Sequence, residues 1–365
     1  MVTPGLDAPP KTEDPPAWAL RIEGRFQMRT TSLLGGLVLA GFCGLGLTMG
    51  CGAQDPNAQS SSTEGALASE SEAVTSSVIK HVFVIAMENH DSTQIYGNTS
   101  NAPYINNTLL PKYAHATSFN DALALSIPSE PHYVYIEAGT NAFSDHTFTT
   151  DSDPSSSNST NSTAHLATQI KNATTGVTWR TYQEGLNGST GSCPIHSSGF
   201  YAAKHDPFVF YQDVSGSPPS ATNAACAAHH RAYSAFSGDL AASDVASYTF
   251  ITPDLCHDMH GASGCPNSNL VQQGDQWLQA ELPRIISYAN ANHGVIFIEW
   301  DEGSSTLKMP FLAIGPGVKV GYAGGVSYSH ASIVKSIEVI LGLPTLSKVS
   351  SANGLSDLFQ TGQYP

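Results

Sequence analysis

Glu88 and Asn89 stand directly behind a run of six apolar residues, 82–87 (Val-Phe-Val-Ile-Ala-Met). A carboxylate and an amide side by side are hard oxygen donors, the kind a divalent cation takes. A second acidic pair, Asp301 and Glu302, ends another apolar run, residues 294–300 (Gly-Val-Ile-Phe-Ile-Glu-Trp). Either pair alone could simply cap a following helix. Two matching pairs frame a metal site. Between them in sequence, Pro128, Ser129, Glu130 and Pro131 read as a helix opening whose first turn has free backbone N–H donors. A hydroxyl there suits an oxygen nucleophile attacking phosphorus, with the donors facing anionic oxygens. Taken alone, this stretch favours the serine as a plain N-cap. Farther on, Asp258 and His260 lie in a loop that also holds Cys256 and His257. A carboxylate two residues from an imidazole can give oxygen and nitrogen to one ion. His205 and His330 complete the candidate set. His205 falls in Lys204-His205-Asp206, and His330 opens an amphipathic stretch.

These residues need rigid supports. The two apolar runs, rich in β-branched and aromatic residues, read as strands of a parallel sheet covered on both faces. In such sheets the carboxyl ends of the strands line the ligand crevice. Residues 178–184, 248–252 and 310–314 read as further strands, and 105–115 as helix with a break or restart at Pro111. Residues 274–291 carry apolar positions at spacings of three and four, so a helix is expected there, kinked at Pro283. Residues 326–341 end the domain in an amphipathic helix that starts near Ser329. Residues 144–163, rich in Ser, Thr, Asn and Asp, read as a surface loop.

The 365 residues suffice for one large α/β domain or two small ones, with 12% charged residues and a formal charge of −15. Up to residue 51, Lys11, Arg21, Arg25 and Arg29 balance Asp7, Glu13, Asp14 and Glu23, so the negative charge lies entirely beyond. Nothing so acidic neutralises nucleic-acid phosphates, and there is no basic cluster for anionic lipid. Residues 1–27 read as a mis-assigned upstream extension, with Met28 as the start. Residues 28–51 read as a secretory signal: a basic start, an apolar run, and small residues before Cys51. Thr48-Met49-Gly50-Cys51 resembles a lipoprotein cleavage box with Cys51 as the lipidated residue; an ordinary signal peptide or an uncleaved anchor are the alternatives. Residues 52–77 read as a flexible linker, and 78–365 as the catalytic domain. The protein is therefore expected to be exported, as a secreted, periplasmic or envelope-bound chain. Cys193, Cys226, Cys256 and Cys265 suggest two disulfides, most simply Cys193 with Cys226 and Cys256 with Cys265, although sequence leaves the pairing open.

Six blocks in order resemble the phosphoesterase family that groups bacterial acid phosphatases with non-specific phospholipases C, within the alkaline phosphatase superfamily. They are Met87-Glu88-Asn89, Pro128-Ser129-Glu130-Pro131, residues 204–208 (Lys-His-Asp-Pro-Phe), residues 252–260 (Thr-Pro-Asp-Leu-Cys-His-Asp-Met-His), Trp300-Asp301-Glu302-Gly303 and Ser329-His330-Ala331-Ser332. The resemblance implies a three-layer α/β/α sandwich, alkaline-phosphatase-like, with a central mostly parallel sheet. It also implies hydrolysis of phosphate esters through a metal-bound serine. Carried over by residue, Glu88, Asn89, Asp301 and Glu302 would hold one divalent cation, and Ser129 would attack phosphorus. Asp258, His260 and His330 would bind phosphate, assist the leaving group or hold a second ion. His205 would line the same pocket, with His132 at the substrate. The chain departs from the family at Asp254, His257 and His132, where Asn is usual, and at Ser329, where Asp is common.

A phosphomonoesterase of acid-phosphatase type is the expected activity on small-molecule or lipid phosphate esters. A phospholipase C is the nearest rival, and a non-catalytic cell-surface binding lipoprotein is the rival from another class. A carboxylic-ester hydrolase would call for a Gly-x-Ser-x-Gly elbow, which the sequence lacks.

Overall fold

The computed structural model describes residues 79–186 and 191–365. The chain divides into two units, and the described residues all belong to the second, Ser71–Pro365. The expected extension, signal, Cys51 and linker lie outside the described residues.

Among the described residues ten strands follow in order: β1 (His81–Met87), β2 (Ala114–Ala116), β3 (Phe119–Asn120), β4 (Trp179–Gln183), β5 (His230–Ala232), β6 (Tyr248–Thr252), β7 (Gly294–Trp300), β8 (Lys308–Met309), β9 (Phe311–Ile314) and β10 (Ala323–Gly324). Eight of them form one sheet in the order β10-β2-β9-β7-β1-β6-β4-β5, while β3 pairs with β8. In the large sheet β9 runs antiparallel to both its neighbours, β2 and β7. The other neighbouring strands run parallel.

The two apolar runs lie side by side at the centre. Val82 to Met87 are buried, as is all of β7, because neither strand has a face turned to water. Their register pairs His81 with Gly294 and Met87 with Trp300. Glu88 and Asp301 therefore leave the sheet as neighbours. β6 flanks β1 on its other side, with Ile85 opposite Ile251, so the loop after Thr252 starts from the same edge.

Alternation along the strands sends neighbouring side chains to opposite layers. On one face the Phe83 ring meets Phe236 and, from the Leu270–Ala291 helix, Tyr288 edge-on, at centroid distances of 6.3 and 6.0 Å. On the other, Tyr248 reaches Glu137 of the Ser129–Ala138 helix, and Glu299 reaches His330 of the His330–Leu341 helix. Helices thus cover both faces, and the fold is a three-layer α/β/α sandwich. The Leu270–Ala291 helix comes close to β1 at Gly274, where a Cβ would sit 3.0 Å from the Met87 side chain and 2.4 Å from that of Met259, in the loop after β6.

Some local expectations change. The stretch 105–115 is one π-helical turn, Ile105–Leu109, and Ala114–Ala116 becomes a strand. Pro111 lacks the N–H that would continue the helix and disfavours helical backbone at the residue before it. The turn's free donors at Tyr104 and Ile105 bond to the Asp275 carboxylate, both at 2.9 Å. The long helix begins at Leu270, four residues early, because Asn269 caps it by accepting from the Gln272 N–H. It runs on through Pro283 to Ala291. The disulfides join Cys193 to Cys226 and Cys256 to Cys265.

Candidate active site

Ser129 is the first residue of its helix, behind Pro128, and its hydroxyl caps nothing. Ser129 Oγ instead lies 3.2 Å from Glu88 Oε2 and 3.0 Å from Glu302 Oε1. A hydroxyl has one proton to donate, so two carboxylates compete for it. Asn89 turns the chain away from β1 with φ of 47°, a left-handed conformation that Asn tolerates better than most residues. Its backbone N–H donates to Asp301 Oδ1 at 3.1 Å, joining the two strand tips. Gly303 closes the loop behind Glu302, where a Cβ would fall 1.9 Å from the Thr306 carbonyl oxygen. Asp91 ties that loop to the β1 side by accepting the Thr306 N–H at 2.9 Å and the Ser305 N–H at 3.2 Å.

The third contribution follows β6. Glu88 N–H donates to the Asp258 carbonyl at 2.7 Å, so the disulfide-bound loop sits against the β1 tip. Met259, at φ of 82° and buried, separates Asp258 from His260. His205 lies between two acids: Nε2 is 3.3 Å from Glu88 Oε1 and Nδ1 is 3.5 Å from Asp258 Oδ2. The Tyr133 ring stacks on His205 with centroids 4.8 Å apart. His260 Nδ1 donates to the Gly261 carbonyl at 2.8 Å, leaving Nε2 as the nitrogen with a free lone pair in the neutral ring. Ligand atoms of Glu88, His205 and His260 all fall within 4.8 Å of one another.

The electrostatics are those of an acid cluster short of positive charge. Burial, and then the charges of Asp258 and Glu302, push the Glu88 carboxyl well above the usual range. Burial does the same to Asp258 and Asp301, reinforced for Asp301 by Glu88 and Glu302. Burial raises Glu302 as well. At an effective dielectric near 20, two carboxylates about 4 Å apart repel by about 4 kcal/mol, so the group cannot ionise fully without a partner. Burial, with Lys204 and His260 beside it, drives His205 well below its ordinary value and keeps its ring neutral. Among the described residues, Glu88 Oε1, Asn89 Oδ1, Asp258 Oδ2 and Asp301 Oδ2 are buried without a hydrogen-bond partner. Oxygens left bare in this way, with a neutral imidazole beside them, fit a divalent cation.

Two of the expected histidines are committed elsewhere. His330 Nδ1 faces Glu299 Oε2 at 2.8 Å and Nε2 faces the Asp301 carbonyl at 2.7 Å. With an acceptor at each nitrogen the ring is held as an imidazolium, its pKa raised by Glu299 against the opposing effect of burial. It has no nitrogen free for phosphate or a leaving group, and it fixes the β7 tip from behind. His132 likewise stands between the Pro128 carbonyl and Asp121 Oδ2, both at 2.9 Å. Burial opposes its charge, but Asp121 prevails and the pKa is raised. Its ring is near Asp301 and Glu302, yet with both nitrogens donating it gives a cation no lone pair.

Several participants escaped sequence reasoning. Glu299 is a buried acid inside an apolar strand, a mismatch visible in the sequence that signals a partner. Asp121, Asp91 and Tyr133 carry no such signal. The loop of residues 144–163 is more than surface: Glu130, next to Ser129 and buried, accepts the Ser152 N–H at 2.6 Å and the Thr150 hydroxyl at 2.9 Å. Lys204 pairs with Asp151 of the same loop. A further His and carboxylate group, Glu184, Asp254 and His257, is partly exposed and closed by internal bonds, with His257 Nδ1 3.0 Å from Glu184 Oε2.

The chain is similar to several known proteins. A phosphatidylinositol-3-phosphatase of Mycobacterium tuberculosis is 29% identical over 281 residues, covering 76% of this chain and 82% of the relative. An acid phosphatase of Aspergillus fumigatus is 25% identical over 241 residues, 62% of this chain, and the chain spans only 48% of that relative's length. Among solved structures, the phosphonate monoester hydrolase SpPMH from Silicibacter pomeroyi superposes with a TM-score of 0.49 at 12% identity, over 79% of this chain and 77% of its own. Residues 107–344 match the model of the Phosphoesterase family, a span that includes Ser129, Asp301 and Glu302 but starts after Glu88. The chain belongs to the Phosphoesterase family and is a hydrolase acting on phosphate ester bonds.

Proposed function

We propose that the chain hydrolyses phosphate monoesters, as an acid phosphatase does, with Ser129 as the nucleophile. Glu88, Asn89, Asp301 and Glu302 would hold one divalent cation beside Ser129. Such a cation supplies charge that favours the ionised serine and offsets the negative charge on the phosphoryl oxygens. The protein's own residues do the rest. Ser129, at a helix start with free N–H donors, gives its proton to Glu302, 3.0 Å away, as it attacks phosphorus and the P–O bond to the alcohol breaks, and recovers that proton when phosphoserine is hydrolysed. His260, in its doubly protonated form, gives the Nε2 proton to the departing alkoxide, and the neutral ring then takes a proton from the water that hydrolyses phosphoserine. His205 and Asp258 wall the pocket. His330 and His132 act through others, the first by anchoring the β7 tip and the second by keeping a fixed positive charge near Asp301 and Glu302.

The observation that carries this reading is the Ser129 hydroxyl lying 3.0 to 3.2 Å from carboxylates of two different strand tips. Its test is Ser129→Ala assayed with p-nitrophenyl phosphate. A loss of at least about 10³-fold is expected, with metal content by mass spectrometry unchanged within a factor of two and the acid-stable phosphoenzyme of the wild type absent. Full activity in the variant would end the serine mechanism.

A phospholipase C is separated by comparing phosphatidylcholine turnover with that of p-nitrophenyl phosphate. Export is supported by the two disulfides, which persist in oxidising compartments. Lipidation of Cys51 is read out by mass spectrometry of the membrane fraction for a diacylated cysteine.

A further inference from the structure

Among the described residues the exposed large hydrophobic side chains are Leu125, Leu307 and Val320. Two of these three belong to the loops that deliver the catalytic groups. Leu125 lies four residues before Ser129, and Leu307 five residues after Glu302. The loops are joined where β3 and β8 run out: Asn120 pairs with Lys308, and beyond it the Asp121 N–H donates to the Leu307 carbonyl at 2.7 Å. Asp121 is the residue that holds His132 at 2.9 Å, one helical turn from Ser129. Asp121 also accepts the Leu123 N–H at 2.8 Å, and the Ile127 N–H closes a turn on the Ala124 carbonyl at 2.8 Å, so the Leu125 loop is built and not loose. Ala122 and Ala124 are exposed beside Leu125, and exposed Ser126, Thr306 and Lys308 border the two leucines.

We propose that Leu125 and Leu307 form an apolar lip that receives the hydrocarbon part of the alcohol being released, so that the preferred substrates are phosphate monoesters of long-chain or otherwise apolar alcohols. The proposal rests on Ser129 being the nucleophile. An ester bound with its phosphorus at Ser129 must send its alcohol away from the buried acids, and the exposed leucines stand on the loops bordering that exit. The two leucines, exposed on loops joined to each other beside the site, are free to cover the apolar part of a substrate. The occupant is a single substrate chain. The acidic protein has no basic patch with which to hold an anionic bilayer.

The test is kcat/KM for n-alkyl phosphates from ethyl to decyl, kept below their micelle-forming concentrations, with release of inorganic phosphate as readout. In the wild type kcat/KM should rise about twofold per methylene, half the gain of full burial, and then level off. The double variant Leu125→Ser, Leu307→Ser should lose that slope while ethyl phosphate turnover stays within twofold. Val320→Ser, on the segment before β10, should keep it. A flat wild-type series with good ethyl phosphate turnover, or an unchanged slope in the double variant, overturns the lip and leaves the phosphomonoesterase standing. Failure to hydrolyse any member of the series overturns both together. Circular dichroism and Tm of the double variant, expected to match the wild type, separate a lost contact from a lost fold.

Discussion

Two groups of histidine and carboxylate, one against a face of the sheet and one at its carboxyl edge, are opposite in kind. In the first, His165 lies between Glu137 Oε1 at 3.3 Å and Asp213 Oδ1 at 3.0 Å. Glu137 also accepts the Ala167 N–H at 2.6 Å and the Tyr248 hydroxyl at 3.3 Å, and the Thr168 hydroxyl donates to Asp213. Both acids there have found donors. In the second, around Ser129, Glu88 Oε1, Asp258 Oδ2 and Asp301 Oδ2 have none. The neighbouring His205 is neutral. A buried charge that is paired and hydrogen-bonded serves the fold; one left bare costs several kcal/mol and persists where function requires it. The difference separates a strut from a site, although the two have nearly the same composition.

The sharpest way to break that distinction is to neutralise one acid in each region. Glu88→Gln should lower kcat/KM by about 10²-fold or more, yet in chelator its Tm should equal or exceed that of the wild type, because a repulsive charge has gone. A lower Tm would mean that Glu88 is structural. His165→Ala should do the reverse. Removing one partner from a buried pair costs about 3–5 kcal/mol, or about 10 °C in a domain of this size. Activity per folded molecule, corrected by active-site titration, should be retained.

The pH dependence sharpens the contrast further. Glu88, Asp258 and Asp301 are raised in the folded protein, so the metal-free native state binds more protons than the unfolded chain. Stability from these groups is then greatest below the unfolded pKa of about 4 and falls as pH rises toward the folded values. In chelator, Tm should drop between pH 5 and 7.5. Adding Mg²⁺, Mn²⁺, Ca²⁺ or Zn²⁺ at about 100 times its Kd should restore about 5 °C near neutrality and flatten the slope. A Tm independent of both pH and metal would remove the cation from the account.

The smallest expected effect is that of Asp121→Asn. His132 is raised by Asp121, so their pairing stabilises the fold fully below about pH 6.5 and is lost as pH climbs through the folded pKa. The variant should lose about 1 kcal/mol at pH 6 and less at pH 9, by urea titration at each pH. A kcat loss of about tenfold or less is expected, since a carboxamide still accepts from His132 without fixing its charge.

Much of the fold could be read from local pattern. Unbroken apolar runs required two-sided cover, and covered parallel strands put Glu88 and Asp301 at a carboxyl edge, where they are. Pro128 ahead of Ser129 marked a helix opening, and the helix starts there, at Ser129 with Pro128 as its N-cap. Where the local pattern was overruled, either a distant group did it, as when the Asp275 carboxylate took the Tyr104 and Ile105 donors, or an unread local cap did, as when Asn269 started its helix early.

Sequence alone determined the family blocks, the strands that bear the acids and a helix opening around Ser129, because hydrophobic periodicity and proline stereochemistry act over a few residues. Only the tertiary structure decided which histidines are free. His330 and His132 share their residue type with His205 and His260, but each has an acceptor at both nitrogens, and for His330 one of these is Glu299, 31 residues away. An imidazole's role is fixed by what faces its two nitrogens, and those neighbours exist only once the sheet has brought separate strand ends together.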